Sequence, residues 1–424
     1  MKQLDNGHAY TLLLWLLLPY ALLHLFWRAR KQPEYLHHIG ERFGRSRVRS
    51  DKPVIWLHTV SVGETRAAAT LVRELRERYP QHQILLTHTT PTGRATSEQL
   101  YGDDVLRVYL PYDYPFAVRR FLRHFQPQVG VLLETEVWFN LIHACHRTKT
   151  PLLLLNARLS ERSARKYARY PRLTHDGLHA LSLIAAQTED DALRLTSLGG
   201  HSVPVMGNIK FDIAPPPAQL ELGLLLSERF GASRPIFLAA STREGEETLL
   251  LDALKKASIN NLLTVMVPRH PQRFDEVAAL IEQHGFSLQR RSADEIISAD
   301  TQVVLGDSMG EMFAYYAACD VTFIGGSLLP LGGQNLIEAA ACSKPIIVGP
   351  HTFNFAQATE QALACGAALR VLDAEDLVHQ LIPLLHDAHR MEHMAQCGER
   401  FVSSNRGATE RAADMIDSAL RRNH

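Results

Sequence analysis

The chain has 424 residues, 46% of them hydrophobic, which is material for two or three domains with separate cores. Its 45 basic and 45 acidic residues cancel. No global field therefore favours nucleic acid, and an anionic ligand must be met by local arginines, lysines or helix ends. The cysteines (Cys145, Cys319, Cys342, Cys365 and Cys397) are odd in number, widely spaced and free of any C-x-x-C pair. That pattern argues against a disulfide framework or a zinc site.

Residues 9–27 run without a charge, close to the ~20 residues that a membrane-spanning helix needs. Arg28, Arg30 and Lys31 follow at once, with Arg42, Arg45, Arg47, Arg49 and Lys52 beyond. This asymmetry puts the C-terminal side in the cytoplasm by the positive-inside rule. Residues 1–50 are therefore expected to be a signal-anchor and a basic juxtamembrane segment. A cleaved signal peptide is not expected, because the charge gathers after the apolar run and no small-residue site follows it. Pro19 and His24 leave an interfacial helix as the alternative to a transmembrane one.

From residue 54 onward, short β-rich runs alternate with helical patterns, the mark of parallel sheets with crossover helices. Runs at 54–60, 84–87, 105–109, 129–133, 152–156, 183–187 and 203–206 predict a first Rossmann-like domain over 51–212. Its first strand leads directly into Ser61-Val-Gly-Glu64 and a helical pattern. Glu64 thus stands at the C-terminal edge of a strand, where open sheets bind ligands. It is a candidate base, with an S-x-x-E capping box as the plain structural alternative.

Ile213-Ala-Pro-Pro-Pro-Ala218 cannot continue a sheet or a helix and predicts a linker over 213–222. A second alternation, at 235–240, 262–267, 303–305, 321–324, 346–349 and 369–372, predicts a second Rossmann-like domain over 223–404. Ligands are expected in a cleft between the two. The first turn lacks G-x-G-x-x-G and no Walker sequence occurs, which disfavours dinucleotide and ATP chemistry. The second half instead offers polar strand ends: Ser241-Thr-Arg-Glu-Gly-Glu-Glu247, Pro268-Arg-His-Pro271, Gly306-Asp-Ser-Met-Gly-Glu311 and, after Gly325-Gly326, Leu331-Gly-Gly-Gln-Asn-Leu-Ile-Glu338. Singly, each fits an ordinary turn or cap, such as Ser308 with Glu311. Jointly they favour a nucleotide site, with backbone N–H groups on phosphate and Glu338 on a ribose diol.

The chain also resembles a known family. His58-Thr-Val-Ser-Val-Gly-Glu64, Thr90-Pro-Thr-Gly93, Tyr109-Leu-Pro-Tyr-Asp113, Glu134-Thr-Glu-Val-Trp138, Asn156-Ala-Arg-Leu-Ser160 and Gly207-Asn-Ile-Lys-Phe-Asp212 carry the likeness in the first half. Pro268-Arg-His-Pro271, Met309-Gly-Glu311 and Gly332-Gly-Gln-Asn-Leu-Ile-Glu338 carry it in the second. They resemble, in order and over nearly the whole chain, the 3-deoxy-D-manno-octulosonic acid (Kdo) transferases of Gram-negative bacteria. The resemblance implies an α/β chain of GT-B type, two Rossmann-like domains facing a cleft, with the last helix (405–424) returning to the first domain. It implies transfer of Kdo from CMP-Kdo to the lipid A precursor (lipid IVA) on the cytoplasmic face of the inner membrane, with no metal and no further cofactor. By the same resemblance Glu64 accepts the proton, while Glu134 and Lys210 stabilise the transition state. Pro268, Arg269, Met309, Gly310, Glu311, Asn335, Leu336, Ile337 and Glu338 match the CMP-binding stretches.

Two departures stand out: Phe139 where the family has proline, expected to loosen the Trp138 loop, and Gln334 in place of a histidine. A basic stretch with interleaved tyrosines, Arg158, Arg162, Arg165, Lys166, Arg169 and Arg172, is expected to meet anionic lipid and the acceptor's phosphates, or else to be a solvated face. The alternatives in function are a GT-B transferase using another nucleotide sugar on a membrane lipid, and an inert homologue that binds lipid or nucleotide at the membrane.

Overall fold

Strand β1 (Val54–His58) is buried along its whole length, as a central strand covered on both faces must be. Its side chains divide with a period of two: Val54 and Trp56 enter one apolar layer, Ile55 and Leu57 the other. The computed structural model describes residues 6–30, 32–231 and 234–422. In it β1 lies at the centre of a parallel sheet with β2 (Gln83–His88), β3 (Leu106–Tyr109), β4 (Val129–Leu133), β5 (Leu152–Ala157) and β6 (Leu183–Ala186), in the order β3-β2-β1-β4-β5-β6. This is the doubly wound order whose direction reverses between β1 and β4. Gly130 on β4 makes that pairing possible: a Cβ there would stand 2.6 Å from the Trp56 ring.

The chain divides into two compact units, 1–212 with 406–424, and 213–405. The second holds a seven-stranded parallel sheet of β7 (Ile236–Thr242), β8 (Leu263–Pro268), β9 (Leu288–Arg290), β10 (Val303–Leu305), β11 (Val321–Ile324), β12 (Ile346–Val348) and β13 (Ala368–Arg370), in the order β13-β12-β11-β7-β8-β10-β9. Its direction reverses between β7 and β11.

Three differences from the sequence expectation have physical reasons. The run at 203–206 makes only a single bridge, Val205 to Ala186, and Pro204 has no N–H with which to extend a ladder. The linker is shorter than 213–222, because Pro217 opens the helix Pro217–Phe230, a position that needs no N–H. Strand β9 lacks an apolar run, being three half-buried residues at the sheet edge. Within the basic segment before β1, Arg42 is 4% exposed, donates to the Thr89 carbonyl and lies 4.0 Å from the Tyr109 ring centroid, while Arg45, Arg47 and Arg49 are exposed. Lys31 lies outside the described residues.

The helix Asn6–Ala29 is long and apolar enough, over Ala9–Ala29, to cross a membrane. Tyr10 Oη donates to Asp113 at 2.9 Å, Thr11 Oγ1 to Asn140 at 2.9 Å, and Tyr114 Oη to the Leu14 carbonyl at 2.7 Å. Asp113 is buried and also accepts the Asn140 and Leu141 N–H groups, and burial pushes its carboxyl up to about 6.

At the other end of the chain, the helix Ala408–Arg421 lays Ala412, Ile416 and Leu420 into the layer formed by Ile55 and Leu57. Its first turn is satisfied from a distance, since Asp212 accepts N–H groups from both Gly407 and Thr409. Replacing Asp212 by alanine should leave those donors unpaired and lower stability by about 1–2 kcal/mol, the usual scale for a lost helix cap. A fall in the urea midpoint of the purified protein, without loss of secondary structure, checks this.

Candidate functional site

Each sheet offers its ligand edge where the strand order reverses. In the first unit that edge receives the ends of β1 and β4. Strand β1 runs into Ser61, which caps the short helix Val62–Ala67 through the Glu64 N–H. The Glu64 carboxylate returns the bond, accepting the Val60 N–H at 2.9 Å and the Ser61 hydroxyl at 3.2 Å. The Ser61 cap is therefore present, with the Glu64 carboxylate reaching back to the N–H one residue before it, so Glu64 is both part of the cap and a candidate base. Each oxygen accepts one of these bonds, and a carboxylate has room for about four. Burial raises the Glu64 carboxyl from its usual range to about 7, and the charges of Glu134 and Glu136 add to the rise against the hydrogen bond from Val60.

Glu134 follows β4 directly, in the left-handed region at φ 63°, which few non-glycine residues occupy and which concentrates at functional sites. Its N–H donates to Leu155 and its carbonyl accepts from Arg158, so the turn is fixed from β5. The Glu134 carboxylate accepts Lys210 Nζ at 2.7 Å, with both side chains about 20% exposed. Lys210 reaches it from a one-turn helix, Ile209–Phe211, capped by Asn208. Asn156, itself at φ 54°, accepts the Ile209 N–H. Glu64, Glu134 and Lys210 thus gather at one edge.

The sequence alone missed two participants. Glu136 accepts the Trp138 indole N–H at 2.7 Å, so it is Glu136 and not Glu134 that orders the tryptophan. Its other neighbour is His58, the last residue of β1, whose Nε2 is 3.6 Å away and has no hydrogen-bond partner while Nδ1 is bonded at Thr87. A glutamate two residues after Glu134, opposite a histidine at a neighbouring strand end, was the available signal. Phe139 does not loosen this loop. Its ring fills the space where a Gly177 Cβ would stand, and meets Tyr10 edge-on at 5.3 Å.

In the second unit the reversal lies between β7 and β11. Gly325, after β11, comes so close to β7 that a Cβ would be 2.5 Å from the Ser241 carbonyl. Fully buried Glu246 ties the surrounding turns together, accepting N–H groups from Gly326 at 2.6 Å, Leu328 at 2.9 Å and Arg243 at 3.0 Å. Cations collect at the same edge: burial first, then Arg243, Arg269 and Arg273, holds His270 below the usual histidine range. Arg273, which sequence reasoning did not single out, is bonded to Glu247 and Glu276.

Pro268 ends β8, and the Arg269 N–H bonds to Thr242. Met309 is exposed, Gly310 has φ 82°, and Glu311 accepts from Ser308 and pairs with Arg291. Ser308 and Glu311 bond side chain to side chain but do not cap the helix Met312–Ala318. Asn335 orients Glu338, donating to it at 3.1 Å and accepting the Ile337 N–H, while Leu336 is buried. The helix that Glu338 opens is only Ile337–Ala341, so the dipole argument made for it from sequence is weak. Gln334 lies against Gly326, its amide nitrogen 3.1 Å from where a Cβ would be.

Among the described residues no group of three or more histidines, cysteines and carboxylates is placed to hold a metal ion.

Comparison with known proteins gives consistent matches. Residues 37–213 match the family model described as 3-deoxy-D-manno-octulosonic-acid transferase (kdotransferase), and residues 240–401 that of glycosyl transferases group 1. The chain is 42% identical to the 3-deoxy-D-manno-octulosonic acid transferase of Bordetella pertussis, over 97% of this chain and 99% of that one. It is 37% identical to the enzyme of the same name from Haemophilus influenzae, over 98% and 99%. Among solved structures, Anabaena Alr3699/HepE in complex with UDP superposes with a TM-score of 0.60 over 86% of this chain and 100% of that one, at 15% identity, a likeness of fold.

The Glu64 carboxyl should titrate near pH 7 in the folded protein. An infrared carboxyl band lost on replacing Glu64 by glutamine would report it, and Glu136→Gln should move its midpoint down by removing a neighbouring charge. Because the folded-state value lies above the unfolded one, the folded protein holds the extra proton. Its contribution to stability therefore declines as pH rises from about 4.5 to about 7.

Proposed function

The chain belongs to the 3-deoxy-D-manno-octulosonic acid (Kdo) transferase family, has the GT-B fold of two parallel-sheet α/β domains, and is a glycosyltransferase, and on that premise we propose that it moves Kdo from CMP-Kdo to the lipid A precursor lipid IVA in one inverting displacement. The observation that carries the mechanism is Glu64, a carboxylate at a strand-order reversal whose proton affinity is poised near neutrality. A base of that strength suits proton transfer from a hydroxyl at physiological pH. In the proposed step the acceptor hydroxyl gives its proton to Glu64 as its oxygen bonds to the anomeric carbon of Kdo. The bond from that carbon to the phosphate oxygen breaks, and CMP leaves with the electron pair.

Glu134 faces the positive charge that develops on the sugar ring, and Lys210 holds Glu134 at 2.7 Å. An ammonium has three donors, so Lys210 can meet the Kdo carboxylate while it keeps this bond. In the second domain Pro268, Arg269, Met309, Gly310, Glu311, Asn335, Leu336, Ile337 and Glu338 form the proposed CMP site, with Glu338 on the ribose diol and the cations near His270 on the phosphate. No cofactor beyond the donor is invoked. The protein is proposed to be membrane-bound through the helix Asn6–Ala29, with its domains on the cytoplasmic face of the inner membrane.

Mass spectrometry of the lipid formed from purified protein, CMP-Kdo and the tetraacylated precursor should show a gain of one or more Kdo masses, and none with UDP-sugars. A gain from a UDP-sugar alone would overturn the donor. Glu64→Ala should lower kcat by about 10²–10⁴-fold, the usual worth of a positioned general base, with CMP binding retained. Full transfer by this variant would remove Glu64 from the mechanism.

A further inference from the structure

The helix Asn6–Ala29 meets the first unit along its length and not at its C-terminal end alone. Near its start, Tyr10 and Thr11 hydrogen-bond to Asp113 and Asn140. Near its end, Leu25 and Ala29 are buried with Tyr35, and the Arg28 guanidinium lies 4.5 Å over the Tyr35 ring. Between these points Thr11, Leu14, Leu18 and Leu22 recur at steps of three and four residues and are all partly buried, one helical stripe turned to protein. The rest of the circumference is apolar and exposed: Leu12, Leu13, Leu16 (71% exposed), Leu17, Leu23 and Phe26.

A spanning helix cannot keep these contacts. Crossing a hydrocarbon core of about 30 Å would carry Tyr10 and Thr11 to the far side of the bilayer, while Asp113 and Asn140 stay with the sheet. The break would leave Asp113, which is 5% exposed, with one hydrogen bond fewer in a buried site. An interfacial helix ordinarily needs a polar face for the side away from lipid. Here the protein domain covers that side, so an almost wholly apolar helix can lie flat.

We propose that Asn6–Ala29 lies in the plane of the membrane, one stripe on the first domain and the remaining circumference in the acyl layer of a single leaflet. The occupant of the exposed face is a bilayer and not a second protein, because the face is flanked by cations. The helix packs against Pro171–His179, and Arg162, Lys166, Arg169 and Arg172, on that helix or just before it, are all exposed, placed for anionic headgroups. Asp113 and Asn140 stand at the ends of the segments that follow β3 and β4, and the second of these carries Glu134 and Glu136. An in-plane helix therefore holds the carboxylate edge of the first sheet at headgroup level, where a lipid acceptor's sugar lies.

This inference rests on the membrane attachment proposed above, and flotation with vesicles tests that attachment separately. The full chain, tagged at both ends through protease sites, is reconstituted into phosphatidylethanolamine–phosphatidylglycerol vesicles and digested to completion. An in-plane helix keeps both ends on one side, so each molecule should lose both tags or neither. Molecules that lose one tag, and the second only after detergent, would show a span and overturn the proposal. Thr11→Cys with Asn140→Cys should cross-link in the same vesicles with a short bis-maleimide, whereas either single variant should not; absence of the cross-link also overturns it. At least severalfold more protein should float with phosphatidylglycerol vesicles than with phosphatidylcholine alone, and equal flotation would remove the headgroup contact. A stoichiometric dimer that fails to float would assign the stripe to a second copy.

Discussion

Three carboxylates share one end of two adjacent strands, with a single ammonium hydrogen-bonded among them. Glu64, Glu134 and Glu136 are brought together because β1 and β4 are neighbours at the point where the strand order reverses, so the chain segments leaving both strands open onto the same edge. Lys210 compensates Glu134 directly. Glu136 is held by the Trp138 indole, and Glu64 has only a cap's hydrogen bonds against its burial. Burial raises the proton affinity of Glu64, and the two neighbouring carboxylates add to the rise. Loss of the Lys210 pairing would leave Glu134 uncompensated in a half-buried site. The left-handed turn at Glu134, fixed by backbone bonds to Leu155 and Arg158, is what lets the pairing form.

The second sheet solves the opposite problem. Its reversal edge carries Arg243, Arg269 and Arg273 near His270, a setting for an anion, yet the most buried charge there is negative. Glu246 is held by three backbone N–H groups, two of them from the glycine-rich turn after β11. Burial raises its carboxyl and those donors pull it back. A carboxylate so placed sets the position of loops without consuming the arginines around it. Glu247 does consume one, since Arg273 bonds to it at 2.8 Å.

How far the sequence revealed this follows from what each signal depends on. Buried parallel strands are near-continuous apolar runs, so most strands of both sheets were legible, and β9 was not, because an edge strand with Gln289 and Arg290 carries no such run. The capping box at Ser61 was legible, since it is local. Whether Glu64 also carried a raised proton affinity was not, because that depends on burial and on Glu134 and Glu136, seventy or more positions away. The pairing of Lys210 with Glu134 and the approach of His58 to Glu136 are likewise tertiary. Motif resemblance drew attention to the segment after β4, but it could not say which of its two glutamates binds the lysine and which the tryptophan.

Phe139 links the apolar helix Asn6–Ala29 to the turn that carries Glu134 and Glu136. Where a proline would only stiffen the chain after Trp138, the phenylalanine ring packs into the hollow left by Gly177 and against Tyr10. Tyr10 in turn bonds to Asp113, which accepts the N–H groups of Asn140 and Leu141 at the start of the helix Phe139–Thr148. A buried carboxylate at a helix N-terminus is favourable on dipole and hydrogen-bond grounds together. Here it joins three things: the segment after β3, the turn bearing Glu134 and Glu136, and the apolar helix Asn6–Ala29. Movement of that helix relative to the first sheet would therefore be felt within two hydrogen bonds of the loop that holds the carboxylates. Packing of the apolar helix and placement of the carboxylate edge of the first sheet are, in this chain, one arrangement.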